Sequence, residues 1–312
     1  MSDEKIPDWL RKQERSHAPV LRLMVWISLT FGRRIGRWVL HGIAAYFVLF
    51  APQSRQASRA YLTRALGREA TWGDGYRHVL SFASTIHDRV YLLNDRFDEF
   101  EIEMSGEQAL YRAMQKQPGA LLIGGHLGSF EVLRATGRGV AGQKVAMLMY
   151  KENAAKLNAA LAEINPAAMQ DIIPLGHAGS MLEVRDKLDA GYAVGMLVDR
   201  SLGGDATQAA DFLGQPAWFP VGPWRMAALL RRPVFFMTGL YLGGNRYQIH
   251  FEPLADFSHL ARDQRDAAIT GAIRAYADCL TRYCRQAPYN WFNFFDFWKR
   301  PASPARLPSA RA

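Results

Sequence analysis

Between Ala120 and Glu131 the chain reads A-L-L-I-G-G-H-L-G-S-F-E, and this stretch constrains the fold more than any other. Leu121, Leu122 and Ile123 form a short apolar run typical of a buried strand. Gly124 and Gly125 stop the run and allow a tight turn. A helical pattern begins near Gly128 or Ser129 and continues through Phe130, Val132 and Leu133. The reading is strand, turn, helix, with His126 at the carboxyl end of the strand and Glu131 in the first turns of the helix. Carboxyl ends of strands are where open α/β sheets bind ligands.

The same alternation extends from Phe100 onward and defines an α/β fold. Strands are expected at Phe100 to Met104, Val145 to Tyr150, Ile172 to Leu175 and Ala193 to Val198. Helices are expected from Gly106 to Gln117, Ala154 to Ile164, Ser180 to Ala190, Pro223 to Leu230 and Asp263 to Arg285. Val234 to Tyr241 and Arg246 to Phe251 read as antiparallel neighbours joined through Gly243-Gly244-Asn245. Before this unit lie helices at Gln53 to Gly67 and Gly75 to Asn94, the second carrying His78, His87 and Asp88. His87 and Asp88 point different ways on a helix and read as structural or surface residues. The organisation is an N-terminal segment, 1–52, a main domain, 53–300, and a Pro-, Ser- and Arg-rich tail, 301–312.

Within the first segment, Ala18 to Phe31 and Trp38 to Ala51 are apolar runs of about fourteen residues, short of the roughly twenty needed to span a bilayer. Arg33, Arg34 and Arg37 lie between them, where a bilayer centre would not tolerate them. A helical hairpin in the cytoplasmic leaflet is expected, with these arginines at headgroup level and Trp26 and Trp38 near the interface. Two core helices of a soluble fold are the alternative, and one spanning helix is a third.

His126 and Glu131 are five positions apart, which on a continuous helix is a rotation of about 140°. They meet only if His126 lies in the turn. A carboxylate then holds one imidazole nitrogen and the other accepts a proton. The helix dipole favours neutral imidazole and the carboxylate favours imidazolium, so the two leave a base poised near neutral pH. Ser129 is the nearest hydroxyl, placed to cap backbone N–H groups.

H-L-G-S-F-E resembles the H-x-x-x-x-D/E motif of the glycerolipid and lysophospholipid acyltransferase superfamily, and its Glu form resembles the branch of late acyltransferases of lipid A synthesis. L-V-D-R at Leu197 to Arg200, D-F-L-G at Asp211 to Gly214, F-P-V-G-P at Phe219 to Pro223 and W-F-N-F-F-D-F-W at Trp291 to Trp298 extend the likeness. They resemble a bacterial subgroup associated with aryl-polyene and envelope-lipid pathways. The resemblance implies a glycerolipid acyltransferase-like mixed sheet flanked by helices. It implies transfer of a fatty or polyene acyl group from a thioester, on acyl carrier protein in preference to coenzyme A as the alternative donor, to a hydroxyl of a lipid or glycolipid acceptor at the cytoplasmic face of the inner membrane. His126 is then the general base and Glu131 its orienting carboxylate, with the oxyanion held by N–H groups at the helix start and by Arg200. Asp199 and Arg200 follow the donor-site strand. Phe219, Pro220 and Gly222 form a rigid loop that lines a groove, and Arg225 is placed for an anionic head group. Lys151 and Asn158 fall where relatives carry polar groups. Gly203-Gly204-Asp205 reads as a lid. The aromatics from Trp291 close the core or wall an acyl groove, with Asn290, Asn293 and Asp296 bonding to nearby loops.

Composition narrows the rest. A net charge of +9 favours anionic partners, and the basic residues flank apolar segments, which points to lipid. No zinc finger or RNA-binding signature suggests nucleic acid. Cys279 and Cys284 are the only cysteines, which implies neither a disulfide framework nor a metal cluster, and no cofactor is expected. A serine hydrolase or thioesterase is the rival enzyme, but no G-x-S-x-G elbow occurs. A non-catalytic membrane-bound lipid carrier of the same fold is the rival from another class.

Overall fold

Buried apolar strands must pair side by side, and in this chain they pair in an order far from their sequence order. The computed structural model describes residues 18–133, 144–150, 172–175, 179–201 and 206–299. Expectations placed on 1–17, on the side chain of Trp26, on 154–164 with Lys151 and Asn158, on Gly203-Gly204-Asp205 and on the tail lie outside what is described. The mixed sheet contains β1 (Glu101–Ser105), β2 (Ala120–Gly124), β3 (Val145–Tyr150), β4 (Ile172–Leu175), β5 (Ala193–Leu197), β8 (Pro233–Gly243) and β9 (Arg246–Asp256). Their order is β1-β9-β8-β2-β5-β3-β4. Only β8 and β9 pair antiparallel, through the predicted Gly243-Gly244 turn. β2, β3, β4, β5 and β8 point the same way.

β2 is buried along its whole length, as its uninterrupted apolar run requires. Leu121 and Ile123 face a core formed with Tyr276 and Leu280, whereas Ala120 and Leu122 face the opposite core with Leu110, Phe235 and Tyr247. Helices cover both faces. They are α1 (Ala18–Phe50), α2 (Pro52–Leu66), α3 (Trp72–Leu93), α4 (Glu107–Lys116), α5 (Ser180–Asp189), α6 (Gly222–Leu230) and α7 (Arg265–Gln286). α3 starts three residues before the predicted Gly75 because Thr71 and Asp74 form a capping box, Thr71 N–H donating to Asp74 at 2.8 Å.

Two features depart from the sequence reading. A two-stranded hairpin, β6 (Thr207–Phe212) and β7 (Gln215–Pro220), spans the D-F-L-G motif and the start of the F-P-V-G-P loop, where no strand was expected. Its tight turn holds Leu213 and Gly214 at positive φ, 54° and 81°, a conformation that leucine seldom signals. The second departure is in α1. The helix breaks at Gly32, where φ is 80°, between the two predicted apolar runs. The arginines beyond the break do not all point outward. Arg33 makes a two-pronged ion pair with Asp88 of α3, at 2.7 and 2.8 Å, and Tyr247 donates to the same carboxylate at 2.8 Å. Arg37 bonds the Gly244 carbonyl and the Tyr241 hydroxyl. Arg34 remains exposed.

Among the described residues no single helix is long and apolar enough to cross a membrane. One bent pair, Gly32–Phe50 with Pro52–Leu66 at 95°, meets the requirement in length and composition only when taken together. α1 leaves Trp38, Tyr46, Phe47, Leu49 and Phe50 exposed, Trp38 at 79%.

His78 ties α3 to the rest. It is fully buried, its Nδ1 lies 2.8 Å from the Ser58 hydroxyl, and its Nε2 lies 2.8 Å from the Trp291 carbonyl. The carbonyl can only accept, so Nε2 carries the proton and Ser58 donates to Nδ1. Burial pushes the His78 pKa down to about 4. An unfolded histidine takes a proton near 6.5. Between those values the unfolded chain binds more protons, so stability falls as pH falls. The melting temperature of wild type should drop from pH 6.5 to 4 by more than that of His78→Gln. The difference corresponds to on the order of 3 kcal/mol. Parallel melting curves for the two proteins would disprove this account.

Candidate active site

Register alone brings two residues of this site together. β2 and β5 are parallel neighbours with Gly124 opposite Leu197. Two residues past each strand end stand His126 and Asp199. The His126 Nδ1 is 2.7 Å from Asp199 Oδ1, and the His126 backbone N–H donates to Oδ2 at 2.9 Å. Asp199 also accepts from Trp291 Nε1 at 3.0 Å and from Asn293 Nδ2 at 2.7 Å. Both expected groups of the L-V-D-R motif are here. The Arg200 Nε donates to Asn293 Oδ1 at 2.7 Å, and its Nη2 donates to the Phe292 carbonyl at 3.1 Å. Asn293 therefore links the arginine to the aspartate through the two ends of one amide.

The turn that carries His126 is irregular where the sequence suggested a helix. Residues 125–132 form bends and bridges, and the first helical residue is Leu133. Leu127 pairs with Trp291, and Gly128 with Gly239. Gly128 has φ of 74°, and a Cβ there would come within 2.0 Å of the Gly239 carbonyl oxygen, so only glycine fits. The N–H groups of Gly128 and Ser129 donate to the carbonyls of Asn290 and Gly239, each at 2.8 Å. They are occupied, and the expected oxyanion donors at a helix start are not these two.

Glu131 also differs from expectation. It is buried, but its Oε1 lies 2.7 Å from Arg89 Nε of α3, and its Oε2 accepts from Ser129 Oγ at 3.1 Å. The carboxylate bonded to the imidazole is Asp199, not Glu131. Ser129 bonds a side chain rather than capping N–H groups. Glu131 clamps the turn to α3 and places Arg89 close enough for its charge to reach His126.

The aromatic segment supplies what sequence reasoning did not assign to the site. Trp291, Phe292 and Phe297 are buried as core residues, but the Trp291 indole N–H and the Phe292 N–H do more than pack. The first holds Asp199, and the second donates to the His126 carbonyl at 2.7 Å. Asn290 bonds both backbone groups of Tyr241, at 2.7 and 3.1 Å, as its place between aromatics suggested. Asp296 is exposed. Phe219 and Pro220 are buried, and Phe219 packs edge-on to Tyr276, whose hydroxyl donates to the Gly124 carbonyl at 3.0 Å. Both lie at the end of β7, where a loop was expected. Gly222 and Arg225 are exposed at the start of α6.

A family model described as bacterial lipid A biosynthesis acyltransferase matches residues 19–300. The chain belongs to that family. It is an acyltransferase of the lipid A biosynthesis type, which implies an acyl donor and a lipid acceptor. Among curated proteins none is similar enough in sequence to count as a match.

The protonation of His126 follows from its neighbours. Burial lowers its pKa, the Arg200 charge lowers it further, and Asp199 opposes both. Burial would raise the Asp199 pKa, but the imidazole, Arg200 and the N–H donors hold it well below the usual carboxylate range. Asp199 is thus ionised and can only accept, so Nδ1 carries the proton and Nε2 keeps a free lone pair. Nε2 has no partner among the described residues, and the side chain is 30% exposed. By nuclear magnetic resonance, the His126 imidazole should titrate below the ordinary histidine value. Arg200→Gln should move that titration up, and Asp199→Asn should move it down. An unchanged midpoint in Arg200→Gln would show that the guanidinium does not act on the imidazole.

Proposed function

We propose that this chain moves an acyl group from a thioester to a hydroxyl of a membrane lipid or glycolipid, with His126 as general base. The observation that carries this is the 2.7 Å contact of His126 Nδ1 with Asp199, beside an open Nε2. Nε2 takes the proton of the acceptor hydroxyl as its oxygen attacks the thioester carbonyl. The C–S bond then breaks, and the imidazolium returns the proton to the leaving sulfur. Asp199 stabilises the imidazolium between those events. A positioned base of this kind contributes about 10²- to 10⁴-fold in rate. Arg200, pinned by Asn293, is the nearby cation that can face the developing oxyanion.

Transfer on this account is direct. Ser129 is 3% exposed and its hydroxyl is engaged by Glu131. Burial pushes the thiol of Cys279 up to about 11, and that of Cys284 higher still, so neither is a thiolate at neutral pH. An apolar cavity of about 280 Å³ between α1, α2 and α3, lined by Ile43, Phe47, Val79, Phe82, Ala83 and Phe294, suits a hydrocarbon chain. The favoured donor is acyl carrier protein, on the family resemblance and on the net charge of +9, which attracts an acidic partner.

His126→Ala should abolish transfer with little change in melting temperature. Asp199→Asn should lower kcat by about 10³- to 10⁴-fold, as the analogous loss does in a serine-protease triad. Mass spectrometry after incubation with donor alone should detect no acyl adduct. Full transfer by a folded His126→Ala protein would sink the assignment. A competent adduct on Ser129 would revive the hydrolase-like route.

Attachment at the cytoplasmic face of the inner membrane rests on the exposed apolar row of α1 beside Arg34. Replacing Trp38, Leu49 and Phe50 together by Glu should weaken binding to anionic vesicles roughly tenfold or more, given the apolar area removed. The melting temperature should barely move, because these side chains touch water. Equal sedimentation of both proteins with vesicles would refute this mode of attachment.

A further inference from the structure

α3 separates two cavities that differ in the charge of their walls. Val79, Phe82, Ala83 and Ile86 face the apolar one described above. Arg77, Leu80, Ser81 and Ser84, on the other side of the same helix, face a larger cavity of about 600 Å³. Its remaining walls come from α1, from the β8–β9 turn and from the segment leading into Trp291.

Three features of the larger cavity point to an anion. Its wall carries two guanidiniums, Arg37 and Arg77, and the imidazole of His41, and among the described residues none that lines it is acidic. The nearest carboxylates do not line the cavity and are engaged, Asp74 by Arg68 and the Tyr289 hydroxyl, and Asp88 by Arg33 and, at 3.8 Å, by Arg37 itself, which leaves Arg77 as the cation without a carboxylate partner in this set. The end of α7 reaches the rim at Gln286, and its partial negative charge, about half a unit, does not cancel two arginines. Arg37 is fixed by the Gly244 carbonyl and the Tyr241 hydroxyl, which leaves other N–H groups of its fork to bond a ligand. Finally, Ser81 is 8% exposed, and its hydroxyl has no partner among the described residues. Buried hydroxyls are almost always bonded, so this one is an unmet donor in the wall of the cavity.

The cavity also adjoins the chemistry. β8 ends at the same side of the sheet as β2 and β5. Asn290 lines the cavity, and its carbonyl accepts from Gly128 N–H, two residues after His126.

We propose that this cavity binds a phosphate ester, held by Arg37, Arg77 and Ser81, so that the attached substrate reaches His126. A phosphate offers several acceptor oxygens and matches a guanidinium fork. The volume exceeds a bare phosphate and leaves room for a sugar or a pantetheine arm. The inference rests on the acyltransferase reading, since either the lipid acceptor or the thioester donor supplies such a phosphate.

Calorimetry on the full chain in neutral maltoside micelles separates the two ideas, because it reads binding without turnover. Inorganic phosphate, titrated at constant ionic strength, should bind wild type and His126→Ala equally. Arg77→Gln should bind at least tenfold more weakly, and Arg77→Lys should recover part of the loss. Arg77 is exposed, so its variants should fold, and Ser81→Leu gives a second test by filling the cavity. Coenzyme A and phosphatidylcholine nanodiscs carrying phosphatidic acid are then added separately. Displacement by coenzyme A assigns the phosphate to the donor, and displacement by the nanodiscs assigns it to a lipid headgroup. Equal binding by wild type and Arg77→Gln, or displacement by neither, would overturn the proposal. Loss of acyl transfer in His126→Ala with intact phosphate binding would leave both readings standing, and retained transfer would remove only the first.

Discussion

The carboxylate of Asp199 is the point on which the rest of the site depends. It is buried, and a buried charge without donors is not tolerated. Its donors come from three places in the chain: the His126 turn after β2, the Trp291 indole and the Asn293 amide. Each donor is fixed by something else. The Gly128 and Ser129 N–H groups lock the turn to Asn290 and Gly239, and His78 holds the Trp291 carbonyl. The aromatic segment is thus structural and functional at once. The same residues that fill the core also fix the His126 imidazole that they surround.

A second buried carboxylate does comparable work at the edge. Asp88 gathers Arg33 from α1 and Tyr247 from β9, with Arg37 within 3.8 Å. This network fastens the second half of α1 to the sheet, so one side of that helix is committed to the body of the protein. Its other side keeps Trp38, Tyr46 and Phe50 in water. One helix therefore carries both an internal ion pair and an apolar outer face, where the sequence reading offered a choice between core helix and membrane helix.

Much of the scaffold was legible in the sequence because it rests on local rules. Apolar runs marked β2, ended by Gly124-Gly125, and β5, ended by Asp199-Arg200, the Gly243-Gly244 turn marked the antiparallel pair, and His126 stood out by its place after a strand. What was not legible depends on pairing across the chain. Asp199 meets His126 because β5 lies beside β2, although β3 and β4 intervene in sequence. The five-residue spacing drew attention to Glu131, but Arg89, on a helix 42 positions earlier, is the stronger attraction for that carboxylate. Arg33 looked like a headgroup contact because Asp88 lies 55 residues away. The β6–β7 hairpin escaped notice because a leucine occupies its left-handed turn position.

These long-range pairings also explain why α3 is central although it bears no residue that bonds Asp199. Successive turns of an α-helix can present different faces to different neighbours. On α3 one face meets hydrocarbon-sized apolar space, another meets a space walled partly by arginines, and a third delivers His78, Asp88 and Arg89 to the body of the protein. Arg89 reaches Glu131 and His78 reaches Trp291, so the helix touches both segments that frame the imidazole. A shift of α3 would change the shape of both cavities and the position of the His126 imidazole together. That coupling follows from packing alone, and it gives a physical reason for the helix to be capped at its start and pinned by buried polar groups along its length.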